Sequence, residues 1–151
     1  MCATQAQVIT GKELASTYVH AGMIGLDGEK MSKSKGNLVF VSRLVASGVD
    51  PMAIRWALMS DHYRSNRMWS DELLHKAEVE LAQVRKALHH VEVAETEGVI
   101  KEIIRALSDD LDTPKVLSTL IDWSAATLSG EQGGSSQQLL NSLDALLGLK
   151  L

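Results

Sequence analysis

Apolar side chains recur every three to four positions over long stretches of this chain, the spacing of one face of an α-helix. Leu74, Ala77, Leu81, Val84 and Leu88 form the clearest run. Ser70-Asp71-Glu72-Leu73 precedes it, with serine placed as N-cap and two carboxylates in the first turn. The pattern predicts a long amphipathic helix from 70 to about 93. A second helix is predicted over 96–109, from Val99, Ile100, Ile103, Ile104 and Leu107. Asp109-Asp110-Leu111-Asp112-Thr113-Pro114 breaks it, and Thr113 with Pro114 reads as an N-cap followed by an N1 proline. The three carboxylates there read as the end of one helix and the start of the next, rather than as a metal site. The third helix runs to about Leu128, with Val116, Leu117, Leu120, Ile121 and Trp123 inside. Ser129 to Ser135 is rich in glycine and serine and reads as a flexible linker. A last amphipathic helix is predicted from Ser136 to Leu147.

The first part of the chain is less periodic. Residues 1–11 read as the end of a helix that stops at Gly11. Thr17 to Ile24 carries β-branched and aromatic residues and predicts a short strand, whose partners are not visible in the sequence. Gly22 and Gly25 would let a flat base approach the backbone at Met23 and Ile24; ordinary packing at a strand end is the alternative. Leu38 to Val41 reads as extended, and Ser42 as the cap of a brief helix over 43–47 that Gly48 ends. Asp50-Pro51 opens a buried helix, with aspartate as N-cap and proline at N1. Its methionines and Trp56 read as core packing. Asp61 to Arg67 then reads as a polar loop. Its histidine and two arginines compensate the helix end, or alternatively face a ligand. The fold class is therefore mainly α: a strand and a loop, followed by a helical bundle.

Composition narrows the function classes. The chain has 151 residues, 45% of them apolar, enough for a real core. Aromatics at 4% favour helices packed by Leu, Ala, Val and Ile over a β-sandwich. A formal charge of −4 weighs against general nucleic-acid binding. A single cysteine excludes an intrachain disulfide framework and fits a reducing, cytoplasmic setting. No apolar run has the length of a membrane span, and the first residues lack a signal-peptide pattern. His89-His90 are sequence neighbours on a helix and point apart, so they make poor joint metal ligands.

Candidate chemistry concentrates in Gly28-Glu29-Lys30-Met31-Ser32-Lys33-Ser34-Lys35-Gly36-Asn37. Lysines three apart among serines, bounded by glycines, suit the holding of phosphate. Lys30-Met31-Ser32-Lys33-Ser34 is similar to the KMSKS signature of class I aminoacyl-tRNA synthetases. That resemblance implies a loop that closes over ATP while an amino acid is adenylated. It casts Lys30 and Lys33 as the catalytic cations, with Lys33 on the pyrophosphate side. It casts Met23, Ile24, Lys30, Met31, Ser32, Lys33 and Ser34 as the ATP-binding residues.

Further landmarks follow in order: His62-Tyr63-Arg64-Ser65, Ser70-Asp71-Glu72-Leu73, and Asp109-Asp110-Leu111-Asp112-Thr113-Pro114-Lys115. They resemble the cysteine-activating branch of class I. That branch comprises cysteinyl-tRNA synthetase and mycothiol ligase, which joins cysteine to the amine of glucosaminyl-inositol. Tyr18 to Gly25 and the Leu149-Lys150-Leu151 ending resemble the ligase side more closely. The chain departs from the family in having no HIGH motif and only Cys2 among the cysteines that would hold the family's zinc. Cys2 falls near the offset of a carboxylate zinc ligand in that branch, but a lone cysteine is not a ligand set. The resemblance therefore implies a C-terminal portion of the enzyme, inactive alone. Residues 1–41 would be a remnant of the Rossmann-type nucleotide-binding domain, with its last strand and KMSKS loop. Residues 42–69 would be connecting helices and 70–151 an α-helical bundle. ATP, cysteine and glucosaminyl-inositol are the implied substrates of the whole enzyme, with zinc held mostly outside this chain. tRNA enters only on the cysteinyl-tRNA synthetase alternative. A helical interaction module with an incidental lysine loop is the rival from another class.

Overall fold

The computed structural model describes residues 2–151, and Met1 lies outside them. Helix α1 spans Cys2–Thr10 and buries none of its residues. Gly11 closes it, its N–H donating to the Gln7 carbonyl at 2.9 Å. The helix predicted at the start is present from Cys2 onward.

The strand predicted over 17–24 requires correction. Residues 17–23 have no regular structure, and β1 spans Ile24–Leu26. The chain turns back through Asp27-Gly28, with φ of 52° and 79°, into β2, Glu29–Lys30. Two successive left-handed residues match the twist of a tight hairpin, and Asp-Gly supplies them at little steric cost. A third strand, β3 (Arg67–Trp69), pairs in parallel with β1, so the order is β2-β1-β3. The strand's partners lie in this chain after all. Arg67, expected in a polar loop, is drawn into the sheet by its register with Ile24.

Helix α2 is Val41–Ala46; its N-cap is Phe40, without a side-chain cap bond, so Ser42 lies inside the helix rather than capping it. Helix α3 is Pro51–Met59, with the Asp50 carboxylate accepting from the Met52 N–H at 2.8 Å. Helix α4 is Asp71–Leu88, capped by Ser70, whose hydroxyl accepts from the Leu73 N–H at 3.1 Å. It ends short of 93, because Val93 and Ala94 plug the core from a loop instead of extending the helical face. Helix α5 is Glu97–Ser108, and α6 is Thr113–Leu128. The cap of α6 is Asp112, not Thr113: its carboxylate accepts from the Lys115 N–H at 3.0 Å. Aspartate leads among N-cap residues, and the proline sits comfortably in the first turn.

Helix α7 is Ser136–Leu147. The segment before it is no free linker. Gly133 bridges to Ala94, the Gly134 N–H donates to the Val93 carbonyl at 2.9 Å, and the Ser135 N–H donates to the Thr96 hydroxyl at 3.1 Å. Glycine is used here for close approach to backbone, not for slack.

Helices α3 to α7 share one core, in which Trp56, Leu81, Leu120, Leu139 and Leu143 are fully buried. Each such side chain contributes about 1.5–3 kcal/mol. Polar groups within this core are partnered: the Trp56 indole donates to Glu80 Oε2 at 2.9 Å, and Gln83 donates to Ser124 Oγ at 2.7 Å, whereas Arg67 Nε, by the sheet, is buried without a partner. Trp56 is core, as its position in the pattern predicts. No helix among the described residues is long and apolar enough to cross a membrane.

Asp50 also receives Arg85 from α4, so it ties α3 to α4. Burial pushes its carboxyl up, but the hydrogen bonds from Arg85 and Met52 and the Arg85 charge outweigh that and hold it low. A lowered folded value adds stability above the ordinary carboxylate range, near 4, and loses it as pH falls through the folded value. Asp50→Ala is expected to destabilise by about 1 kcal/mol at neutral pH. That difference should shrink in acid, which urea midpoints from pH 7 down to pH 3 would read.

Candidate functional site

Lys30 ends β2, and the chain turns over residues 33–36 before running extended. Asn37 closes this turn. Its side-chain oxygen accepts from the Ser32 N–H at 2.8 Å, and its amide donates to the Lys30 carbonyl at 3.3 Å. One side chain thereby holds both shoulders of the loop. Inside it, Ser32 Oγ accepts from the Lys35 N–H at 3.3 Å and lies 3.2 Å from Ser34 Oγ. Met31 is half-buried. With Ile24, Val39, Leu44, Ile54 and Trp69 it lines an apolar cavity of about 200 Å³ beneath the loop. Met31 thus anchors the loop, while Lys30, Lys33 and Ser34 face water.

The charges divide unequally. Lys35 donates to Glu29 Oε2 at 2.7 Å. Among the described residues no carboxylate pairs with Lys30 or Lys33, and both are exposed, as is Ser34. Two ammonium groups rooted on a pinned loop, beside serine hydroxyls, can bind a chain of phosphates.

Met23 is exposed, and its backbone is engaged within the chain. Its N–H donates to Asn66 Oδ1 at 2.8 Å, and its carbonyl accepts from the Arg67 N–H at 2.9 Å. The space that Gly22 and Gly25 leave is filled by this chain's own atoms. A Cβ on Gly22 would meet the Ser65 carbonyl oxygen at 2.1 Å, and one on Gly25 the Glu29 carbonyl oxygen at 2.5 Å. On that side the glycines admit backbone, not a base.

The 62–64 loop reaches the α5–α6 turn. The Tyr63 hydroxyl donates to Asp110 Oδ1 at 2.7 Å, and Arg64 Nε lies 2.8 Å from Asp110 Oδ2. His62 Nε2 lies 2.9 Å from the Asp110 carbonyl oxygen. The Arg64 guanidinium sits 5.4 Å above the Tyr63 ring, a cation–π arrangement. The hydrogen bond from Tyr63, then those of Arg64 and its charge, pull the Asp110 carboxyl below its ordinary value against partial desolvation. The bond to Asp110 raises Arg64 in turn. Asp110 and Leu111 have φ of 52° and 58°, a left-handed pair that costs roughly 1–2 kcal/mol per residue.

The sequence reading missed Asn37, Asn66 and Asp110. Asn37 had a local signal, an asparagine directly after a glycine at the close of a turn. The other two act on residues far along the chain.

Among the described residues no three His, Cys, Asp or Glu side chains converge as metal ligands. Asp109 caps the end of α5, Asp110 holds the loop, and Asp112 caps α6. Cys2 is exposed on α1. His89 and His90 each engage nearby backbone carbonyls. Among the described residues these side chains do not come together as a zinc site.

The family model for class I (C) tRNA synthetase catalytic domains matches residues 2–79. The chain belongs to this family. Within the class I family its relatives include L-cysteine:1D-myo-inositol 2-amino-2-deoxy-α-D-glucopyranoside ligases. The protein of that name from Nakamurella multipartita is 51% identical over 99% of this chain and 36% of its own length. Those of Streptomyces griseus and Mycolicibacterium smegmatis are 47% and 48% identical, over 100% and 99% of this chain and 38% and 37% of theirs. The chain therefore spans less than two-fifths of the length of these class I relatives. Their names match the ligase side of the cysteine-activating branch, the side that Tyr18 to Gly25 resembles.

Proposed function

We propose that this chain is the C-terminal part of an ATP-dependent ligase that activates cysteine. The cysteine carboxylate attacks the α-phosphorus of ATP, pyrophosphate leaves, and cysteinyl-adenylate remains. The amine of glucosaminyl-inositol then attacks the acyl carbon, forms the amide and releases AMP. The observation that carries this reading is the pair of lysines, Lys30 and Lys33, on a loop pinned by Asn37. Neither has a carboxylate partner among the described residues, while Lys35 is neutralised by Glu29. Negative charge builds on the α-phosphate oxygens and on the departing pyrophosphate. Fixed cations aimed there lower the barrier without having to reorganise. Lys33 serves the pyrophosphate side and Lys30 flanks it, with Ser32 and Ser34 as hydroxyl donors. Met23 and Ile24 border the base at the edge of β1. Holding the acyl-adenylate beside the acceptor amine makes the second step local.

On this reading residues 1–41 belong to the nucleotide-binding unit and 70–151 to a helical appendage; 42–69 join them, with α3 packed into the appendage's core and β3 into the sheet of β1. Zinc and the cysteine pocket belong to the part of the ligase upstream, and the work is cytoplasmic. The test is the complete ligase, this chain preceded by the N-terminal portion its relatives carry. Cysteine-dependent exchange of pyrophosphate into ATP is expected, and added glucosaminyl-inositol should release AMP. The 151 residues alone should do neither. Transfer of cysteine to tRNA instead of the amino sugar would overturn the acceptor, and turnover by the isolated chain would overturn the division of labour.

A further inference from the structure

The α5–α6 turn is joined to the lysine loop by an unbroken series of contacts. Asp110 takes the Tyr63 hydroxyl at 2.7 Å and Arg64 at 2.8 Å. The Tyr63 carbonyl accepts from the Gly22 N–H at 2.7 Å, and Asn66, on the same loop, accepts from the Met23 N–H at 2.8 Å. Met23 leads into β1, which is held in parallel register to β3 and turns through Asp27-Gly28 to Lys30. Gly22 lies so close to Ser65 that a Cβ there would meet the Ser65 carbonyl oxygen at 2.1 Å.

The ion pair in this series is open to water: the Arg64 and Asp110 side chains are 58% and 47% exposed. Exposed pairs add little to stability. The backbone at Asp110 and Leu111 is left-handed in the turn that closes α5, and that turn carries the carboxylate to Tyr63 and Arg64. Contacts that tie this turn to a distant loop while adding little stability point to a geometric task. We propose that Asp110 is a positioning residue, which fixes the Lys30–Ser34 loop by holding Tyr63 and Arg64 from the α5–α6 turn. The inference rests on the adenylation reading of Lys30 and Lys33.

The complete ligase carrying Asp110→Ala tests it through pyrophosphate exchange. kcat/KM for ATP should fall about tenfold, with KM for cysteine unchanged, because displaced lysines lose the phosphates and not the amino acid. The thermal midpoint should stay within about 3 °C of the parent. Tyr63→Phe, which removes one hydroxyl and keeps the ring, should shift kcat/KM for ATP in the same direction by a smaller factor. It carries the test should Asp110→Ala fold poorly. Added to a variant that already lacks both ammonium groups, Lys30→Ala with Lys33→Ala, Asp110→Ala should cause little further loss, since it acts through those two lysines. Unchanged exchange in Asp110→Ala, or a full tenfold loss on top of the Lys30→Ala, Lys33→Ala double variant, would overturn the positioning role. Unchanged exchange in Lys30→Ala would overturn the adenylation reading instead, so the two failures are distinct.

Discussion

In the complete ligase, Lys33→Ala is expected to lower the rate of cysteine-dependent pyrophosphate exchange by about 10²–10³-fold and to leave KM for cysteine in place. The size follows from when the ammonium meets its charge. A cation that meets charge appearing only in the transition state contributes to kcat; one that meets ATP equally well before and after contributes only to KM. Pyrophosphate gains its extra charge as the bond to the α-phosphorus breaks, so Lys33, which the proposal assigns to that side, should act mainly on kcat. Lys30→Ala is expected to fall in the same direction, with a larger share in KM for ATP. Lys35→Ala provides the contrast. Its ammonium is already held by Glu29 at 2.7 Å, so its loss should change exchange only a few-fold. A series in which Lys35 mattered most, or in which none of the three mattered, would remove the basis for assigning this loop to adenylation.

What could be read from sequence was what lies close together along the chain. Helix α4 follows from the run Leu74 to Leu88 and its Ser70 cap, and α3 from Asp50-Pro51, because periodicity and capping are local. The lysine loop was legible for the same reason: its donors sit within a few residues of one another. The sheet was not. Asp27-Gly28 is a hairpin signal, but it is flanked by strands of three and two residues, too short to show alternation. β3 has no signature at all, since Arg67-Met68-Trp69 becomes a strand only by pairing with β1. Asp110 looked like one of three helix-breaking carboxylates, and nothing local marks it as the group that receives Tyr63 and Arg64. Thr96 and Ser135 likewise meet across two separate loops. A reading by period and cap finds the walls of such a site and misses the ties between them.

The segment that read as slack gives the largest expected effect on stability. Gly134→Ala is expected to destabilise the fold by about 2 kcal/mol or more, measured by urea unfolding followed through tryptophan fluorescence. A Cβ at Gly134 would meet the Ala94 carbonyl oxygen at 2.0 Å and the Thr96 methyl at 2.8 Å. Ala94 cannot retreat. Its N–H donates to the buried Thr127 hydroxyl at 3.1 Å, and its carbonyl accepts from the Trp123 indole at 3.1 Å. Gly134 must therefore move, and its N–H then loses the Val93 carbonyl. Ser135 follows, loosening both its bond to Thr96 and its cap on α7. Leu139, Leu143 and Leu147 of α7 are buried in the core, so the disturbance spreads beyond the loop. Gly98→Ala separates this effect from glycine replacement in general. Its Cβ would meet only the Glu95 carboxylate, the far end of a flexible side chain that can shift while keeping part of its bonding to the Glu97 and Gly98 N–H groups. Within a helix, alanine in place of glycine also offsets part of any crowding. Its change should stay within about 1 kcal/mol. Equal losses at Gly134 and Gly98 would mean that the Ala94 contact does not constrain this loop, and that the segment is as free as its composition suggests.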